Sequence, residues 1–258
     1  MPTTGTIRHL LTYPVKGLSA QPLDSVALDA GTGFPLDRAF GLARPGSGFD
    51  PANPRPLPKS RFVVLARDAM LALLDTHYDE ATGMLRLAKD GTAETFDIAT
   101  AAGAAAASRF VAQAARLPED EVPTLAYAGP HRFTDVSVVS PQMMNAISLI
   151  NLESVAHFAE TIGRDVSPHR FRANILFDGF PALAELEMEG MVGRLGTAEI
   201  RILKRTQRCP ATQVNLETGV RDINVPALLT EHYGHADMGV YAEVITAGTV
   251  APGDQITL

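Results

Sequence analysis

The sequence predicts a mainly β protein with helices, of the α+β class, and three observations support this. Short apolar segments recur through the first hundred residues with Gly, Pro and Asp turn signals between them, the pattern of a small β-barrel. Composition shifts near residue 100 to an alanine-rich stretch. From there to the C-terminus, segments of helical spacing are interspersed with strand-like ones. The 258 residues leave room for one large domain or two modest ones, and 46% hydrophobic with 20% charged residues is ordinary for a folded chain.

The first strand is expected over Thr6–Tyr13, closed by Pro14, and a second over Asp24–Leu28. A turn-rich loop from Gly31 to Asp37 leads into an apolar segment at Ala39–Ala43. The stretch Arg44–Lys59 is too rich in Pro and Gly for a helix or a central strand and is expected as an exposed connection. Phe62–Leu65 reads as a strand, Asp68–Leu74 as a short helix, and Met84–Ala88 as a hairpin strand before a Lys89-Asp90-Gly91 turn. Ala101–Arg116 has Phe110 and Val111 spaced for a helix face, and Ser140–Ala146 is expected to begin a second helix with Pro141 in its first turn.

Leu152–Ile162 is the clearest helix. Leu152, Val155, Ala156, Ala159 and Ile162 fall on one side, Asn151 is the expected N-cap, and Gly163 lies beyond the end. Strands are then expected at Ala173–Phe177, Met191–Leu195, Glu199–Leu203, Val240–Ala247 and Gln255–Leu258, with a helix at Pro226–Tyr233.

A net charge of −7 argues against a nucleic-acid partner, because such binding rests on a basic footprint. No apolar run is long enough for a transmembrane helix, and Met1–His9 lacks the basic and apolar blocks of a secretory signal. A cytoplasmic location without membrane contact is the expectation. The single cysteine, Cys209, rules out internal disulfides and multi-cysteine metal sites.

On this acidic background, basic residues gather in two places. His169, Arg170 and Arg172 form one group; Arg201, Lys204, Arg205 and Arg208 surround Cys209. Guanidinium forks suit phosphate, and neighbouring cations favour the thiolate that binds metals. Each group read alone also fits a solvated loop face, and a lone cysteine also fits a small buried side chain. The helix start at Asn151–Ser154 offers N–H groups to an anion or is simply capped. Lys16 follows a strand end, and Asp37-Arg38 fits a structural ion pair.

Together these segments resemble the MOSC family, including the mitochondrial amidoxime-reducing component and its bacterial relatives. The resemblance rests on Tyr13-Pro-Val-Lys-Gly-Leu18, Leu36-Asp-Arg-Ala-Phe40, Ser148-Leu-Ile-Asn-Leu-Glu-Ser154 and Arg170-Phe-Arg-Ala-Asn174. It continues through Thr206-Gln-Arg-Cys-Pro-Ala-Thr212 with Glu217-Thr-Gly219, and ends with Gly239-Val-Tyr241 and Pro252-Gly-Asp254. Gly17 stands where relatives often have serine, and Ala173 where they have proline.

The resemblance implies a smaller N-terminal β-barrel domain (1–100) packed with a β-barrel MOSC domain (101–258), holding a molybdopterin-type molybdenum cofactor. Cys209 would be the metal ligand and catalytic residue. Lys16, Arg38, Asn151, Ser154, Arg172, Asn174 and Arg208 would hold the cofactor. The implied activity is a molybdenum-dependent oxidoreductase that reduces small N-hydroxylated compounds. The chain lacks the cysteines of a ferredoxin domain, so electrons would come from a separate donor protein. The alternative is a cofactor carrier or sulfur-transfer protein using Cys209; a further one is a domain binding another phosphorylated ligand.

Overall fold

The computed structural model describes residues 3–258; Met1 and Pro2, which open the expected N-terminal domain, lie outside the described residues. The chain begins with β1 (Thr4–Thr12), β2 (Gln21–Leu23), β3 (Val26–Leu28) and β4 (Phe40–Ala43). Then come β5 (Asp75–Asp79), β6 (Met84–Lys89), β7 (Thr92–Asp97), α1 (Ala101–Ala114) and β8 (Thr124–Tyr127). Next are α2 (Pro141–Met144), β9 (Ile147–Asn151), α3 (Leu152–Ile162), β10 (Ile175–Asp178) and β11 (Val192–Leu195). The last elements are β12 (Ala198–Gln207), α4 (Val225–Tyr233), β13 (Asp237–Thr246), β14 (Gly248–Val250) and β15 (Gln255–Thr257).

Seven strands close a barrel in the order β10, β9, β13, β12, β11, β15, β1, with β1 pairing back onto β10. Closure leaves no unpaired edge around this core. Its interior is filled by inward-facing residues, among them Ile7, Leu10, Leu149, Phe177, Ile200, Ile202, Val240 and Ala242. Each of the larger of these side chains contributes roughly 1.5–3 kcal/mol by leaving water. β9 and β10 are parallel, and α3 makes the crossover between them. Asn151 caps α3 by accepting from the Glu153 N–H at 3.2 Å, and Gly163 ends it at φ 62°, both as the sequence predicts.

The N-terminal part combines the β4–β8 pair, the β5–β6–β7 sheet and α1 around Val15, Leu42, Val63, Leu71, Leu85, Leu87 and Val111. Val214, from the loop that follows Cys209, is buried in that same core. The connection between β12 and β13 therefore spans from the closed barrel into its neighbour, and it carries the cysteine.

Phe62–Leu65 is not a strand. Pro58 and a 3-10 turn at Lys59–Arg61 precede it, and it makes a single bridge, Phe62 to Ala43. Val64 is held instead through its N–H, which donates to the Asp68 carboxylate at 3.1 Å. Six strands escape the sequence reading. β2 and β14 are three residues long and β8 four, β5 and β7 are mostly polar, and β9 is buried at every position, so none shows an extended apolar–polar alternation.

Candidate functional site

A cleft of about 290 Å³ opens where the ends of β1, β10 and β12 meet the loops of the N-terminal part. Lys16, Arg38, Arg172, Asn174, Arg208 and Cys209, distant in sequence, all line it. The backbone explains how. The turn after β1 is tied to the segment before β4: Arg38 N–H donates to Tyr13 at 2.7 Å, Phe40 N–H to Pro14 at 2.9 Å, and Lys16 N–H to Phe40 at 2.8 Å. Lys16 and Arg38 are thereby delivered side by side. Arg172 follows the 3-10 turn Pro168–Phe171, and Cys209 follows the end of β12, directly before a second such turn at Pro210–Gln213.

Arg38 (φ 48°) and Arg172 (φ 54°) both have left-handed backbones. That conformation costs a non-glycine residue roughly 1 kcal/mol or more, and such strain concentrates at functional sites. The Arg38 and Arg172 guanidiniums stack on the buried Tyr13 ring, 4.3 and 4.4 Å from its centroid. The Tyr13 hydroxyl donates to the Ala173 carbonyl at 3.3 Å, and Arg38 donates to the Arg172 carbonyl at 2.9 Å.

The four cations are not equivalent. Lys16 is buried, pairs with Asp135 and donates to the Phe133 carbonyl at 2.7 Å. Burial pulls its ammonium below the ordinary lysine value, opposed by Asp135. Arg38 pairs with Asp37; burial works against its charge, but Asp37 raises it above the usual arginine value. Arg172 and Arg208 have no carboxylate within ion-pair distance among the described residues. Burial draws both down to about 10, so both remain charged at neutral pH. Arg208 spends its donors on the Met238 carbonyl and, at 2.9 Å, the Phe171 carbonyl. The Thr206 hydroxyl, in the wall of the cleft, is buried with no hydrogen-bond partner.

Lys59 and Asp135 belong to the site without any local signal in the sequence. Lys59 pairs with Asp135 at 3.2 Å and lines the cleft together with Cys209. Burial lowers the Lys59 ammonium, but Asp135 and Cys209 raise it on balance. Burial alone would raise the Asp135 carboxyl; Lys16 and Lys59 instead hold it well below the usual carboxylate range. The Pro-rich connection, expected only as an exposed link, thus ends in the wall of the cleft.

Two expected cofactor residues are placed elsewhere. Asn151 and Ser154 are fully buried and do not line the cleft. Ser154 donates to Glu185 at 2.7 Å and accepts from the Leu183 N–H at 2.8 Å. Asn151 donates to the Phe180 and Pro181 carbonyls at 3.2 and 3.0 Å. The start of α3 is covered by the segment that follows β10, so an anion has no access to it. Asn174 does reach the cleft wall, but its amide is spent on Ser148 and the Leu11 carbonyl, joining β9, β10 and β1.

The basic clusters resolve similarly. Arg201 pairs with Glu243, Arg205 with Glu187 and Arg170 with Asp222, so that, of these clusters and among the described residues, Lys204, Arg172 and Arg208 are the cleft cations without a carboxylate partner. Gly17 has φ +89°, and a Cβ there would sit 3.2 Å from the Val63 carbonyl oxygen. A serine at this position would be strained.

Arg170 braces the cysteine loop: it donates to the Gln213 carbonyl at 3.2 Å and to the Asp222 carboxylate at 2.8 Å. Arg170 is the main reason Asp222 is lowered to about 2. A folded value below the unfolded one means stability that is present above about pH 4 and lost as pH falls through 2. Asp222→Asn is expected to flatten the acid-unfolding curve between those values, read by circular dichroism against wild type.

Comparison with known proteins agrees with this architecture. The MOSC N-terminal beta barrel domain matches residues 4–124, and the MOSC domain matches residues 129–257. The chain belongs to the MOSC family, and MOSC domains are associated with binding of the molybdenum cofactor. Among solved structures, the YuaD protein of Bacillus subtilis is 16% identical, with 100% of this chain and 96% of that one covered and a TM-score of 0.45. YiiM from Geobacillus stearothermophilus is 21% identical over 43% of this chain and 53% of its own, with a TM-score of 0.34. YiiM from Escherichia coli is 22% identical over 43% and 52%, with a TM-score of 0.32. The chain thus spans about half the length of either YiiM protein. No curated protein sequence matches the chain. Among the described residues, no helix is long and apolar enough to cross a membrane.

Proposed function

We propose that this chain holds a molybdopterin-type molybdenum cofactor in the cleft and acts in the cytoplasm as an oxidoreductase on small N-hydroxylated compounds, with electrons from a separate donor protein. One observation carries the reading: a single thiol stands at the edge of a cleft whose wall holds two guanidiniums, Arg172 and Arg208, that have no carboxylate partner among the described residues. Unpaired charge in a half-buried site is costly and calls for an anionic ligand.

The donor set fits the cofactor. Among the described residues there is no cluster of three His, Cys, Asp or Glu side chains able to hold a bare metal ion. A metal bound through Cys209 would therefore bring its other ligands with it, and thiolate is the soft donor such a metal accepts.

When bound, the cofactor supplies the two-electron chemistry that removes an N-bound oxygen. The chain does the rest. Cys209 would hold the metal, and Arg172 and Arg208 would face the negative charge of the cofactor. Asp135 fixes the ammonium groups of Lys16 and Lys59. Tyr13 holds Arg38 and Arg172 by cation–π contact, a preorganisation that lowers the cost of ordering them around a ligand.

The test is turnover of an N-hydroxylated amidine by protein made in a cofactor-competent host, with a chemical reductant replacing the donor. Release of the amidine in proportion to molybdenum content is the expected result. Full molybdenum loading without turnover would replace this reading with a carrier role.

A further inference from the structure

A second cavity, of about 470 Å³, adjoins the cleft: Gly17, Leu65 and Arg172 belong to the walls of both. Cys209, Lys16 and Arg208 line the cleft alone. The volume is that of a site for a small organic molecule, and the proposed function gives this cavity no role.

Its wall is divided by polarity. Leu18, Leu65, Leu71 and Leu74 are buried, and Leu73 and Leu216 half-buried. The 3-10 turn Ala69–Leu73 supplies part of this apolar wall, and the loop after Cys209 supplies Leu216. Asp75, Asp90, His169 and Glu217 are exposed at its rim. Asp75 pairs with Arg86 at 3.3 Å and Asp90 with Lys89 at 3.9 Å, and solvent screens such rim charges. Among the described residues, Arg172 is the one charged side chain of this wall withdrawn from the surface.

Arg172 is held but not satisfied. Its guanidinium stacks on the Tyr13 ring, 4.4 Å from the centroid. Among the described residues it has no carboxylate within ion-pair distance and donates no hydrogen bond. A guanidinium carries five N–H donors in a plane, so an anion in the cleft that takes two of them leaves others free.

We propose that the second cavity binds a small carboxylic acid with an apolar body, the carboxylate meeting Arg172 and the hydrocarbon lying among the leucines. A carboxylate matches a single guanidinium through two parallel hydrogen bonds, and the apolar wall rewards a hydrocarbon over a sugar or a second charge. The site goes beyond the proposed function, because it takes its ligand whatever fills the cleft.

Calorimetric titration of the full-length chain with sodium decanoate, below micelle formation, tests the assignment. One decanoate per chain is expected, with affinity falling about fourfold for each methylene removed toward hexanoate. Decanol is expected to bind at least about tenfold more weakly, and Arg172→Met to weaken decanoate by about tenfold. Ala72→Phe, which fills the cavity from the 3-10 turn, should abolish binding, whereas Lys204→Met, in the wall of the cleft alone, should leave it within about twofold of wild type. Should Ala72→Phe fail to fold, Leu216→Glu, which sets a negative charge in the apolar wall, carries the test with the same loss expected.

No decanoate binding by the folded wild-type chain, or decanol held as tightly as decanoate, would overturn the proposal. Binding unchanged in the folded Ala72→Phe or Leu216→Glu chain would also overturn it, by placing the acid elsewhere. Molybdenum content, read separately, keeps the two claims apart. A metal-free chain that binds decanoate counts against the proposed function and leaves this site standing; a loaded chain that ignores decanoate does the reverse.

Discussion

Protein carrying Cys209→Ser is expected to lose at least about a hundredfold in reductase turnover while keeping its fold. Changing groups that merely support a metal ligand typically costs about 10–100-fold, and Cys209 is the ligand itself in this account. A serine hydroxyl is a hard donor and does not replace a thiolate for a soft metal. The structural cost is small, because Cys209 is only partly buried, and the turn after it is held through its carbonyl, which accepts from the Thr212 N–H at 3.1 Å and hydroxyl at 2.9 Å. Thermal unfolding within a few degrees of wild type, alongside lost turnover, is the result to look for. Turnover that survives would remove Cys209 from the chemistry.

Arg172→Met is expected to move stability and binding in opposite directions. An unpaired, half-buried guanidinium is a burden to the empty protein, and replacing buried charge with an apolar side chain is often neutral or stabilising. Loss of the stacking on Tyr13 offsets part of that gain. The chain without cofactor should therefore unfold within about 1 kcal/mol of wild type or above it. Cofactor retention should fall by about 10–100-fold, since removing the cation leaves ligand charge unpaired at a buried site. Denaturant titration and cofactor release after desalting read the two quantities. Arg170→Met provides the contrast: it strands Asp222 and frees the Gln213 carbonyl, so it should destabilise the cysteine loop itself.

Local signals explain what could be read from the sequence. α3 announced itself through a one-sided apolar face, an asparagine cap and a terminal glycine, all of which act within a few residues. Cys209 and Arg208 stood out because they are adjacent, and Lys16 and Arg38 through the motifs that hold them. Asn151 and Ser154 misled for a related reason. A capped helix start has the same local chemistry whether it faces an anion or a buried glutamate, and only the chain following β10 decides which. Lys59 and Asp135 are 76 positions apart and meet in the cleft only after both domains have packed, so no spacing rule reaches them. β9 stayed hidden because a strand buried on every side has no alternation to read.

The most direct test of the account is the molybdenum and pterin content of the wild-type protein, purified from a molybdate-supplied, cofactor-competent host beside a molybdenum enzyme made in the same cells. The account predicts close to one molybdenum per chain, with a fluorescent pterin product on oxidation. A metal-free, pterin-free chain beside a fully loaded control enzyme would contradict it, and would leave the cleft to another anionic ligand.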